Sequence, residues 1–94
     1  MTKTITDKEF LNDIYQDNDL LESIKIQSFL LDIAIKVKQL RQKRGFSQRV
    51  LADKIHSTQK TILNIEKGKP VTTETLYKVF KALGVSPVIG FETK

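Results

Sequence analysis

The sequence predicts an all-α chain that ends in one short strand, and three observations carry that expectation. Apolar residues recur at three- and four-residue spacing from Leu20 to Leu40, and again in shorter runs up to Leu83. Ser47, Thr58 and Thr72 stand where N-caps belong before those shorter runs, while Gly45, Gly68 and Gly84 stand where helices stop. The stretch VSPVIGFETK at the C-terminus is too short and too β-branched for another helix, so Pro87 to Phe91 reads as a strand.

Size and composition bound the rest. A chain of 94 residues with 39% hydrophobic content makes one small domain with a modest core. With no cysteine it forms neither a disulfide framework nor a thiolate metal site, and His56 is the sole histidine, so no metal and no cofactor is expected. Its greasiest stretch, FLLDIAIKV, is interrupted by Asp32 and Lys36, which argues against a membrane span and for a cytoplasmic protein. The net charge of +5 hides an asymmetry. Residues 1–35 hold three lysines against seven acids, whereas residues 36–94 hold thirteen bases against four acids. A basic part of this kind suits nucleic acid or an anionic surface.

Taken in order, TDKE at residues 6–9 is a capping box, and Phe10, Leu11, Ile14 and Tyr15 form the apolar stripe of a short first helix ended by QDND. Asp19 followed by Glu22 opens a second, long helix reaching to near Gly45. One stripe of it runs through Ile26, Phe29, Leu30, Ile33, Val37 and Leu40; Ile24, Leu31 and Ile35 mark another behind, so its first half is expected to be buried on two sides. Ser47 then caps a helix of barely two turns carrying Val50, Leu51, Ala52 and Ile55, which His56 and Ser57 break. Thr58 caps the next, buried through Ile62 and Ile65, and Thr72 caps the last, carrying Leu76, Tyr77, Val79, Phe80 and Leu83. Three segments result: an acidic helical extension at residues 1–27, a core domain at 28–85, and a strand and tail at 86–94.

Two short helices joined by a tight turn are the plan of a helix-turn-helix, whose second helix enters the major groove. Residues 48–67 resemble the helix-turn-helix of the Xre, or lambda-repressor-like, family: Gln48, Leu51, Ala52, Ile55, Thr58, Gln59, Ile62, Ile65 and Glu66 stand where that family places such residues, as does the later LYKVFKALGV. The resemblance covers about residues 33–85 and implies a five-helix DNA-binding domain, here with an N-terminal helical extension. His56 departs from it, because the family has glycine at this turn position, where φ is positive.

On this reading Gln59 in the first turn of the recognition helix aims its amide at N6 and N7 of an adenine, and Lys60, Thr61, Leu63 and Asn64 complete the base-reading set. Gln48 and Thr58 belong to the bracing and phosphate set, the resemblance implying that Gln48 supports Gln59. Phosphate contacts fall to Lys43, Arg44, Arg49, Lys67 and Lys69. The resemblance implies that Glu66 points inward, as a structural partner for Arg41 or a backbone amide. His56 lacks a nucleophile or an orienting acid, and no catalytic constellation is visible, so an enzyme is not expected.

The acidic extension and the terminal strand resemble small antitoxins of the HigA and HipB type, which repress their own operon and neutralise a toxin. That resemblance implies a partner-binding face around Asp13, Asp17, Asp19 and Glu22 and a basic toxin such as a RelE-like ribonuclease. A stand-alone phage-type repressor and a protein inhibitor with vestigial DNA binding are the alternatives. In either repressor reading, a homodimer on a palindromic double-stranded operator is expected, with half-sites about 34 Å apart. Val88, Ile89 and Phe91 are its expected dimer residues, through pairing of the terminal strand with its symmetry mate.

Overall fold

A computed structural model describes residues 18–88 and 90–92. They form four helices: α1 (Asn18–Lys43), α2 (Gln48–Lys54), α3 (Gln59–Glu66) and α4 (Thr73–Ala82). The expected short helix after TDKE lies outside the described residues.

Each of the three short helices begins on the predicted cap. The Ser47 hydroxyl accepts from the Val50 amide at 3.0 Å, Thr58 from Thr61 at 3.3 Å, and Thr72 from Thr75 at 3.2 Å. Such a cap contributes about 1 kcal/mol. All four helices end alike, with a residue at positive φ just past the last turn and a closing bond from the next amide. That amide reaches Arg41 O from Phe46, Ala52 O from Ser57, Asn64 O from Lys69 and Phe80 O from Val85, at 2.9–3.1 Å. Three of the positive-φ residues are glycines; the fourth is His56, at φ 55°.

Helices of seven and eight residues such as α2 and α3 do not persist alone in water. Their stability comes from one shared core, in which Val37 of α1, Leu51 of α2, Ile62 of α3 and Val79 of α4 are fully buried together with Ala52, Ile65 and Leu83. Fully burying one such aliphatic side chain is worth roughly 1.5–3 kcal/mol. Helix α3 packs on both α2 and α1, and α4 closes the far side of α2.

Two expectations fail here. The described residues do not form the expected five helices plus a strand: they contain four helices and no strand. Val85 to Val88 and Gly90 to Glu92 run as irregular backbone, for a strand needs a neighbouring strand to satisfy its amides and carbonyls and the described residues supply none. Nor is the first half of α1 buried on two sides. The buried residues of α1, Ala34 and Val37, both lie in its second half, while Phe29 is 64% exposed, Ile24, Ile26 and Leu31 are exposed as well, and even Ile35 is 55% exposed. The three short helices are too small to flank a rod of 26 residues, about 39 Å long, so they embrace only its C-terminal half.

Candidate nucleic-acid interface

Helix α3 is two turns long, with Ile62 and Ile65 turned into the core. The helical period places Gln59, Lys60, Leu63, Asn64 and Lys67 together on the opposite side. Gln59, Lys60 and Lys67 are exposed, Leu63 is 37% exposed, and Asn64 is half-buried. Thr61 falls outside this face, next to Ile65, and its hydroxyl lies 3.1 Å from that of Thr58. Four of the five expected base-reading residues therefore share a surface, and Thr61 instead belongs to the cap.

Glu66 ends α3 and would repel a phosphate backbone if it faced outward. It is held inward. Arg41 Nε donates to Glu66 Oε2 at 2.6 Å and Nη2 donates to Oε1 at 3.1 Å, a fork-to-fork pair in which both side chains are nearly closed to solvent. The third arm of Arg41, Nη1, donates to Phe46 O at 2.8 Å in the turn before α2. Gln48 Nε2 also donates to Glu66 Oε1, at 3.2 Å. Gln48 thus braces the end of α3 through Glu66, rather than its start through Gln59, and one network ties α1, the first turn of α2 and the last turn of α3.

The basic residues assigned to phosphate divide. Lys43, Arg49, Lys67 and Lys69 are exposed at the margins of α1, α2 and α3. Arg44 is engaged elsewhere: its Nε donates to Leu83 O at 3.0 Å, and its guanidinium lies against Gly84, where an added Cβ would collide with it. It joins the end of α1 to the end of α4. No local signal in the sequence marks this, because the partners are 39 positions apart. Lys54, with its ammonium 4.8 Å from the Phe46 ring centre, is a second basic residue with a structural neighbour that the sequence did not reveal.

A further link escaped the sequence reading. Gly68 is buried, and a Cβ there would come within 2.9 Å of Leu31 Cδ2. Gln27 Nε2 donates to the Gly68 carbonyl at a long 3.5 Å. The turn that ends the recognition helix therefore rests on the middle of α1. Of the acidic residues expected to meet a partner, Asp19 and Glu22 are exposed on the first turns of α1, and Asp13 and Asp17 lie outside the described residues.

Two short capped helices, a tight turn and an exposed polar face on the second of them make a helix-turn-helix. The helix-turn-helix family model HTH_3 matches residues 37–89, more than half of the chain. The chain belongs to this Xre-type helix-turn-helix family. Its matched segment starts within α1 and takes in α2, α3 and α4. The fold of the HTH_3 family is a non-catalytic DNA-binding one, and among the described residues no group of three or more His, Cys, Asp or Glu stands together as a metal site. No described helix is long and apolar enough to cross a membrane. No curated protein matches the chain.

Proposed function

We propose that this chain is a sequence-specific transcriptional repressor that binds a palindromic operator as a homodimer, with the exposed face of α3 in the major groove. The observation that carries the reading is the internal neutralisation of Glu66 by Arg41, which removes the one acid on α3 from the groove side and leaves Gln59, Lys60, Leu63, Asn64 and Lys67 to face DNA. Gln59 is the adenine reader, and Lys43, Arg49, Lys67 and Lys69 supply phosphate contacts. A dimer follows from the shortness of α3, whose two turns reach only a few base pairs, so two-fold repetition is needed for useful specificity.

Gel shifts over a range of salt concentrations on a selected operator test this. Gln59→Ala should cost on the order of 1–3 kcal/mol per half-site and relax preference at one base pair, whereas Arg49→Ala should weaken all sequences alike and lower the salt slope by about one. An unchanged base preference in Gln59→Ala would remove that residue from the readout.

The second reading makes the repressor the antitoxin of a toxin–antitoxin pair. Its support is the first half of α1, which carries the exposed acids Asp19 and Glu22 and, on another face, the exposed Ile24. A basic toxin is the partner whose charge suits that end. Co-expression with the product of the adjacent gene tests it: a complex that survives purification and is lost in Ile24→Asp supports the antitoxin reading, and purification of the free repressor alone removes it.

A further inference from the structure

Beside the core, α1 and α4 leave a cleft of about 610 Å³ walled by Phe29 and Ile33 on one side and Leu76, Tyr77 and Phe80 on the other. Pro87, Val88 and the backbone at Gly90 form its rim. The described tail residues thus reach the cleft without filling it. Phe91, the next residue, remains 89% exposed, and Val88 is 90% exposed. An apolar hole and an apolar knob stand side by side on one chain, and the knob does not occupy its own hole.

We infer that the cleft is the seat of Phe91 from a second copy, the two copies inserting their tails reciprocally across a two-fold axis. The inference rests on the dimeric reading above and specifies its interface. An isologous contact requires that one surface carry both halves of the fit, and this one does, with the hole in α1 and α4 and the knob in the tail. Area points the same way. The exposed parts of Phe29, Tyr77, Val88 and Phe91 amount to on the order of 500 Å² per chain. A standard interface takes about 800 Å² per partner, and the half-buried Ile33, Leu76 and Phe80 with the tail backbone supply the difference. Ile26, on the same side of α1 as Phe29 and Ile33, extends the face toward the exposed end of the helix. No strand pairing is involved: the tail contributes a side chain, and its irregular backbone keeps its amides in water.

The absence of cysteine from the chain permits a clean test. Tyr77→Cys and Phe91→Cys are made in separate chains, mixed, allowed to exchange subunits and oxidised mildly. The mixture should yield a disulfide-linked dimer that neither variant forms alone. The double variant in one chain should likewise cross-link between chains; a bridge within one chain would show that the tail folds back on its own cleft and would overturn the proposal. In parallel, sedimentation of Phe91→Asp should show dimer dissociation strengthened at least tenfold, with the helical circular dichroism unchanged. If the wild-type chain is a dimer and Phe91→Asp dimerises as tightly, this interface is wrong while the dimeric repressor stands. If the wild-type chain binds its operator as a single copy, the dimeric reading itself fails.

Discussion

The two halves of α1 are one continuous helix in very different surroundings. From Ile33 to Lys43 the helix is a wall of the core, with Val37 and Ala34 buried and Arg41 forked onto Glu66. Before that, from Asn18 to Asp32, it carries Ile24, Ile26, Phe29 and Leu31 exposed to solvent. Helix period and apolar content are similar along the whole length, yet among the described residues the first half meets little beyond the Gly68 turn, while the second is packed into the core. The difference teaches that apolar spacing specifies which residues seek cover, while the amount of protein nearby decides which obtain it. It also coincides with the family boundary, since the matched segment begins at residue 37.

Substitutions in the two halves should therefore behave unlike one another. The largest effect is expected from Arg41→Ala, which strands Glu66 in a nearly closed site and should cost about 3 kcal/mol in urea unfolding. A loss below about 0.5 kcal/mol would mean that the network is ornamental and that the core half resembles the exposed half. Next is Gly68→Ala, where the new Cβ meets Leu31 Cδ2 at φ +80°. It should cost about 2 kcal/mol, most of it backbone strain, and pairing it with Leu31→Ala should recover only the steric part. His56→Gly should act in the opposite sense. The αL backbone at φ 55° strains a side-chain-bearing residue by about 1 kcal/mol, and after the greater entropy loss of glycine a gain of roughly 0.5 kcal/mol in thermal unfolding should remain. The smallest change is expected from Ile24→Ser, at under about 0.5 kcal/mol, because about half of this residue is already in water and it is no part of the core. A loss of 2 kcal/mol there would show that this half is covered in solution.

Much of the core was legible because its signals are local. Ser47, Thr58 and Thr72 cap within three residues, and Gly45, Gly68 and Gly84 stop helices by their own backbone preference. The inward turn of Glu66 came from the family resemblance, which left Arg41 or a backbone amide as its partner, and Arg41 is the one it meets. The partner of Gln48 was not legible, and neither were Arg44 on Leu83 or Leu31 on Gly68, because these contacts depend on how helices meet across the fold. The tail misled for a related reason. Val88 and Phe91 carry strand-forming side chains, but intrinsic preference does not make a strand where no second strand lies alongside. Phe29 misled in the same way, its apolar stripe extending past the protein available to cover it.

The seating of Gly68 on α1 has a mechanical consequence. The helix is a stiff lever seated in the core from Ala34 onward, with the turn after α3 bearing on it at Leu31, about 4.5 Å along, and its tip at Asn18 about 24 Å from that seat. With Ala34 as fulcrum, a partner that deflects the tip sideways by about 2 Å moves the bearing point by about 0.4 Å. The Gly68 amide resonance is where that deflection should register first, and the recognition helix that ends at this turn would feel a load applied far from the DNA.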